Sequence, residues 1–130
     1  MKFGEIVNNF SEPPHPRGIS IEGKLVSLKP LVADKFSKEL FLSNALDKEN
    51  INWAYLPYGP FKTEPEYHKW IESFEKKDDP VFFAIISKKL NKAIGIASYL
   101  RINPADGLIE VGHINYSPLL QRTTEATEAM

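Results

Sequence analysis

The sequence of 130 residues contains no cysteine and only three histidines, His15, His68 and His113, which lie far apart. Without cysteine there is neither a disulfide framework nor a thiolate metal site. The scattered histidines do not form a metal-ligand motif either. The composition therefore argues against a metal enzyme.

The sequence also lacks an excess of charge and a long apolar run. Its 16 basic and 17 acidic residues give a net charge of -1, so neither a basic surface for nucleic acid nor an acidic tail is indicated. No apolar run approaches the roughly 20 residues that a membrane helix needs, and the N-terminus lacks the apolar core of a signal peptide. We expect a cytoplasmic protein that binds neither nucleic acid nor membranes.

The apolar content is sufficient for one folded domain, because 42% of the residues are hydrophobic and 12% are aromatic. Residues 11–18 contain three prolines, which fix φ and remove backbone donors. We expect residues 1–18 to form an extended arm and residues 19–130 to form a single domain. The arm could bind a module that reads polyproline helices, but a tether over the domain is favoured.

Two early elements follow from spacing and turn residues. The apolar residues between positions 19 and 28 predict a strand or a hairpin around Glu22 and Gly23. Asp34 can cap a helix that ends between Asn44 and Leu46, because apolar residues recur on one face of that segment.

A second helix and three strands are predicted downstream. Thr63-Glu-Pro-Glu66 has the capping-box pattern, and aromatic and aliphatic residues follow it at helical spacing. Residues 81–86 are apolar at every position, which is typical of a central strand. Residues 93–101 and 108–116 complete a meander. The predicted fold is α/β, more exactly α+β, with a mixed, mostly antiparallel sheet in the order β-α-α-β-β-β.

The segment 52–61 is irregular, yet it contains four aromatic residues, Trp53, Tyr55, Tyr58 and Phe61. Two proline residues and one glycine exclude a regular helix or strand here. The aromatic residues could line a pocket for a substrate, or they could form a small core of their own. The residues alone leave both interpretations open.

Five segments in order resemble the GNAT superfamily of N-acetyltransferases, in particular its RimJ/RimL-like branch. They are residues 23–31, the aromatic segment 53–61, the strand 94–98, the Glu110-Val-Gly112 strand and the closing segment Gln121-Arg-Thr-Thr-Glu-Ala126. The closing segment is similar to the family's pyrophosphate loop, Gln/Arg-x-x-Gly-x-Gly/Ala. It departs from that pattern at Thr124, where the family most often has glycine.

The resemblance implies a binding site for acetyl-CoA. Backbone amides at a helix start bind the pyrophosphate, because four donors there have no intrahelical partner and the helix dipole is positive. The implied loop consists of Gln121, Arg122, Thr123, Thr124, Glu125, Ala126 and Thr127. The backbone of Ile114, Asn115 and Tyr116 would pair with the pantetheine arm.

The resemblance further implies acetyl transfer to a primary amine of a small molecule or a protein. Glu110 is the candidate general base, acting directly or through water, and its alternative is an ion pair with a neighbour such as Arg101. Trp53, Tyr55 and Tyr58 are the candidate acceptor-binding residues. By strand alternation, His113 faces opposite to Glu110 unless a bulge intervenes, and we interpret it as structural.

Members of the family continue beyond the pyrophosphate loop with further helices and strands, which usually provide the tyrosine or serine that protonates the departing thiolate. The resemblance therefore implies an N-terminal half of the fold, incomplete at its C-terminus. An incomplete sheet would have an open strand edge. The alternative function is thus a non-catalytic half-domain that forms a homo-oligomer through that edge.

Overall fold

The structure, a computed structural model, describes residues 4–130. Its strands are β1 (Ile21–Glu22), β2 (Val26–Pro30), β3 (Val81–Ser87), β4 (Lys92–Asn103) and β5 (Leu108–Tyr116). Its helices are α1 (Ala33–Asn44), α2 (Glu64–Glu72) and α3 (Thr124–Ala129), with short 3-10 turns at Ile51–Trp53 and Pro104–Asp106. None of the helices within residues 4–130 has the length and apolar character that crossing a membrane requires.

The five strands form one sheet in the order β1-β2-β3-β4-β5, and every neighbouring pair is antiparallel. The α+β prediction is confirmed, and the described sheet contains no parallel pair. Of the two alternatives predicted for residues 19–28, a strand or a hairpin, the structure has the hairpin, because residues 23–25 form the turn between β1 and β2. Strand β3 is central, as its apolar sequence predicted, and it is buried except at Ile86.

The sheet has a core on each face. On one face, α1 and α2 bury Leu40, Tyr67 and Ile71 against Ala84 and Ile96 of the sheet. The opposite face carries a smaller cluster. Its buried members and the small residues of α3 that pack on them are Val26, Ile85, Ile94, Leu120, Ala126 and Ala129. The second cluster matters for function because it supports the segment that follows β5.

The start of α1 differs from the prediction. Its N-cap is Val32, whose side chain cannot accept a hydrogen bond, and the Ala33 amide instead donates to Glu75 Oε1 at 2.6 Å. The prediction that Asp34 caps the helix is wrong, since Asp34 lies within the first turn. A carboxylate that follows α2 satisfies the free amide, so a residue distant in sequence replaces the local cap.

Helix α2 begins as predicted. Thr63 is its N-cap and accepts a hydrogen bond from the Glu66 amide at 3.4 Å. In a standard capping box, the Glu66 carboxylate would accept from the amide of the N-cap residue, Thr63. Here it accepts from the amide of Lys62, one residue earlier. The helix ends at Glu72, one turn earlier than the predicted end beside Lys76 and Lys77.

The first described residues, 4–18, form neither helix nor strand. Arg17 ties their end to the turn before β3 through an ion pair with Asp78, Nη1 to Oδ1 at 3.0 Å. Both side chains are exposed, so this pair contributes little to stability.

Candidate functional site

Strand β5 forms one edge of the described sheet and contains a bulge. Gly112 pairs with Ser98 and Asn115 pairs with Ile96, so His113 and Ile114 together oppose one residue of β4. His113 has a φ of 48°, in the left-handed region that side-chain-bearing residues seldom adopt. The extra residue breaks the alternation of side chains between the two faces of the sheet. His113 can therefore lie on the same face as Glu110.

The bulge brings His113 against the aromatic segment. Its ring lies 5.6 Å from the ring of Phe82, a core residue of the helix-bearing face. Its Nδ1 lies 3.3 Å from the hydroxyl oxygen of Tyr58. Burial raises the pKa of the Tyr58 hydroxyl, which therefore stays protonated and can donate to Nδ1. His113 is thus a half-buried residue in contact with a candidate acceptor-binding residue.

Glu110 lies on β5 opposite Leu100, three residues before the bulge begins at His113. Its Oε2 is 3.3 Å from Nη1 of Arg101, with side chains 48% and 81% exposed. The ion pair that the sequence left as an alternative is therefore formed. An exposed pair of this kind is weak, so the carboxylate remains accessible to water and to a ligand.

After β5 the chain turns and enters α3. The Ser117 amide donates to the Ile94 carbonyl, and Leu120 is fully buried beside Gly95, where any Cβ would lie 2.7 Å from a Leu120 methyl carbon. Thr123 is the N-cap of α3. Its Oγ1 accepts from the Ala126 amide at 3.1 Å and donates to the Leu120 carbonyl at 2.6 Å. A buried leucine and a threonine cap thus fix the start of the helix.

Gln121 is exposed, but its side-chain amide forms hydrogen bonds with the protein. Its Nε2 donates to the Tyr116 carbonyl and to Asn52 Oδ1, both at 2.8 Å. Asn52 Nδ2 donates to the same carbonyl at 3.0 Å. Asn52 therefore links the aromatic segment to the end of β5, a role that sequence reasoning missed because 64 residues separate the partners.

A wide, shallow depression of about 640 Å³ lies at this end of the sheet. It is lined by Tyr116, Gln121, Arg122, Thr123, Ala126, Thr127 and Met130, most of which are residues that the sequence assigned to cofactor binding. Only Thr124, Glu125, Ile114 and Asn115 of that set are not among its lining residues. The side chain of Asn115 is buried on the sheet, so only the backbone of this residue could contact a ligand.

The chemistry of this depression fits a phosphate-bearing group. The amides of Thr124 and Glu125 begin a helix and have no intrahelical acceptor, because the Thr123 hydroxyl takes only that of Ala126. Arg122 is exposed and brings a permanent positive charge, and Ala126 leaves the backbone accessible. The carboxylate of Glu125, in the same turn, opposes an anion. The free amides and Arg122 are groups that could hold a phosphate, although Thr124 and Glu125 are not among the residues that line the depression.

The aromatic segment divides between core and surface. Trp53 is 7% exposed and packs edge-to-face against Phe61 and Tyr67, so it belongs to the core. Tyr55 is fully exposed. Among the three candidate acceptor-binding residues, Tyr58 contacts β5 through His113. Within residues 4–130, no three acidic or histidine side chains are grouped so as to hold a metal ion.

Comparison with known proteins identifies relatives among solved structures. A GCN5-related N-acetyltransferase from Brucella melitensis is 37% identical, with a TM-score of 0.88 over 95% of this chain and 56% of its own. A probable GNAT-family acetyltransferase from Chromobacterium violaceum is 32% identical, with a TM-score of 0.86 over 99% of this chain and 64% of its own. No protein-family model and no curated protein sequence matches the chain.

A GNAT-family acetyltransferase from Bacillus anthracis is similar in fold alone, at 16% identity and a TM-score of 0.65. The first two relatives are close enough in sequence, over nearly all of this chain, to indicate common descent as well as a common fold. The chain spans somewhat more than half of their length. By fold and by sequence, it belongs with the GNAT family of acetyltransferases.

Proposed function

We propose that the protein is an acetyl-CoA-dependent N-acetyltransferase that transfers the acetyl group to a primary amine. The observation that carries the proposal is the path of the chain from the bulged edge strand β5, through the turn at Leu120, into the capped start of α3. It provides an open strand edge and a helix start side by side. Identity of 32–37% to two acetyltransferase structures supports the same conclusion.

The residues that would hold acetyl-CoA divide by the part of the ligand. The backbone amides from Thr123 to Thr127 and the guanidinium of Arg122 would hold the pyrophosphate. The backbone of β5 from Ile114 to Tyr116 would pair with the amide groups of the pantetheine arm, as an added strand does. The Tyr116 carbonyl already accepts from Asn52 and Gln121, so its pairing with a ligand would require these side chains to move. When bound, acetyl-CoA supplies the activated acetyl group.

Glu110 is the proposed general base. A primary amine is mostly protonated near neutral pH, and it becomes a nucleophile when one proton passes to the Glu110 carboxylate, directly or through a water molecule. The amine nitrogen then forms the new bond to the acetyl carbon, and the thioester carbon–sulfur bond breaks. The sulfur leaves as thiolate and takes up, through water, the second proton that the nitrogen loses on becoming an amide, while Glu110 returns its proton to solvent.

The candidates for the acceptor side are Trp53, Tyr55 and Tyr58, of which Trp53 belongs to the core and Tyr55 is fully exposed. Tyr58 is the strongest candidate of the three, because its ring lies 5.7 Å from that of His113 in the bulge of β5. The acceptor is a small-molecule or protein amine, and the residues do not favour one over the other.

An acetylation assay tests the proposal. The purified chain is incubated with acetyl-CoA and pools of small-molecule and peptide amines, and free thiol is measured together with the mass of the products. Because the chain has no cysteine, every thiol that appears comes from CoA. Amine-dependent thiol release with a matching acetylated product supports the proposal, and an absence of both across all pools contradicts it.

The role of Glu110 has a matched control. Glu110→Gln removes both the base and the ion pair, whereas Arg101→Gln removes the ion pair alone. We expect Glu110→Gln to lower kcat about 100-fold or more, as loss of a general base does. We expect Arg101→Gln to lower it only slightly. Equal losses in the two variants would reject Glu110 as the base.

One observation favours a second candidate function, self-association through β5. Four apolar side chains of this edge strand, Leu108, Ile109, Val111 and Ile114, are 42–59% exposed. Exposed apolar edges pair readily with other strands. Val111→Lys should then abolish a dimer seen by analytical ultracentrifugation of the wild type. A wild type that stays monomeric at high concentration would exclude this candidate.

A further inference from the structure

Glu128, in the last turn of α3, makes the most extensive side-chain contact with the backbone of another element. Its carboxylate accepts three hydrogen bonds from consecutive amides at the end of the β1–β2 turn and the start of β2. Oε1 lies 2.7 Å from the Lys24 nitrogen, and Oε2 lies 2.6 Å and 2.8 Å from the nitrogens of Leu25 and Val26. Hydrogen bonds to an ionised acceptor are stronger than those between neutral groups.

The turn is shaped to receive this carboxylate. A Cβ at Gly23 would lie 2.8 Å from the carboxylate carbon of Glu128, so only glycine allows the present approach. The Lys88 ammonium donates to the Gly23 carbonyl and pairs with Glu22, which braces the turn from the β3–β4 connection. Desolvation raises the pKa of Glu128, but the three amides together with Lys88 outweigh it and lower the pKa below its usual value.

The other described contacts of α3 with the sheet are weak. Its apolar contacts come from Ala126 and Ala129, whose side chains bury little area. The Tyr116 hydroxyl adds one hydrogen bond to the Ala126 carbonyl at 3.3 Å. The three hydrogen bonds of Glu128 are directional and charge-assisted, so they hold the helix at a defined position on the sheet.

We infer that Glu128 is a positioning residue for the proposed acetyl-CoA loop: by binding the amides of Lys24, Leu25 and Val26, it holds α3, and with it the segment from Gln121 to Thr127, in its binding conformation. The inference rests on the proposed function. Glu128 is not among the residues that line the depression beside Arg122, so it acts through α3 rather than on the ligand.

Amide hydrogen exchange measured by NMR tests this inference without any ligand. In Glu128→Gln one carboxylate oxygen becomes an amide donor that faces backbone N–H groups. We expect exchange to become about tenfold faster or more at Leu25 and Val26, because they lose a charged acceptor. We expect the same at Ala126, because its bond to Thr123 Oγ1 opens more often once α3 is no longer held. Amides of β3 should keep their protection, which separates this effect from global unfolding. Glu49→Gln, at an exposed carboxylate, removes the same charge and should change none of them.

Gly23→Ala provides an independent variant at the other end of the contact. Its added Cβ displaces the carboxylate without altering α3, so it should accelerate exchange at Ala126 as Glu128→Gln does. Unchanged exchange at Ala126 in both variants would overturn the inference, whatever happens at the turn.

A titration with acetyl-CoA provides the functional readout. If the wild type binds, Glu128→Gln should weaken binding by about tenfold or more and Glu49→Gln should not. Faster exchange at Ala126 with unaltered affinity would overturn the positioning role. If the wild type does not bind, the proposed function fails, and the exchange data alone decide whether Glu128 orders the loop.

Discussion

At the scale of single residues, His68 joins the two helices that cover one face of the sheet. Its Nε2 lies 3.0 Å from Asp34 Oδ1 in α1, and its Nδ1 lies 2.6 Å from Glu72 Oε1 in α2. Both nitrogens can donate only when the imidazole is protonated. The hydrogen bond to Asp34, followed by the influence of Glu72, raises the pKa of His68 above its usual value of 6.5.

This raised pKa predicts a pH dependence of stability. Because the folded protein binds the proton more tightly, the contribution of His68 is fully present below pH 6.5 and is lost as pH rises through the folded pKa. Urea unfolding of the wild type should give a lower free energy of unfolding at about pH 9 than at about pH 6 because of this loss. In His68→Gln this part of the difference should be absent. An equal difference between the two pH values in the variant would contradict the prediction.

Gly59 and Gly18 allow backbone strain to be separated from steric clash. Both have positive φ, 73° and 80°, but a Cβ at Gly59 would lie 2.3 Å from the Trp53 ring, whereas a Cβ at Gly18 meets nothing within 4 Å. We expect Gly59→Ala to cost about 2–4 kcal/mol and Gly18→Ala about 1 kcal/mol in the free energy of unfolding. Equal costs, measured by urea denaturation, would show that the packing around Trp53 yields easily.

At the scale of elements, several carboxylates bind amides of distant segments. Glu75 accepts from the first amide of α1, and Glu39 accepts from the Ala93 amide of β4. Asp79 accepts from the amides of Arg101 and Ile102 in β4. Each contact satisfies a backbone donor at an element's end or irregularity. Element ends in this fold therefore depend on tertiary contacts as much as on local caps.

The Glu75 contact is open to a direct test. Glu75→Gln keeps the size of the side chain but replaces its charge, and we expect a loss of about 1 kcal/mol in the free energy of unfolding, the usual value of an N-cap. Glu12→Gln, in the exposed arm, is the charge-matched control. If both variants unfold at the same urea concentration as the wild type, the amide of Ala33 does not need this acceptor.

The same contacts explain which elements the sequence predicts. The start of helix α2 follows from a local capping motif, and β3 from an uninterrupted apolar run, so both are predicted correctly. The start of α1 is not, because its cap lies 42 residues away at Glu75. The partner of Glu128 lies 104 residues away at Lys24, a distance over which local pattern carries no information. The bulge at His113 likewise depends on the pairing of β4 with β5.

At the scale of the whole molecule, the loop of residues 121–127 is where sequence and structure agree most usefully. The family resemblance assigned these residues to acetyl-CoA, and the structure arranges most of them around one depression beside the edge strand. The assignment of their individual roles stays a prediction. Gln121 illustrates the difference, since its side chain binds Asn52 and the Tyr116 carbonyl.

The central claim is that this chain binds acetyl-CoA through that loop, and isothermal titration calorimetry tests it most directly. The account predicts saturable binding at one site, weakened about tenfold in Arg122→Asn, since asparagine removes the charge yet tolerates the φ of 60° at this position. The melting temperature of the variant should match that of the wild type. The absence of saturable binding by the folded wild type, or unaltered affinity in Arg122→Asn, would contradict the account.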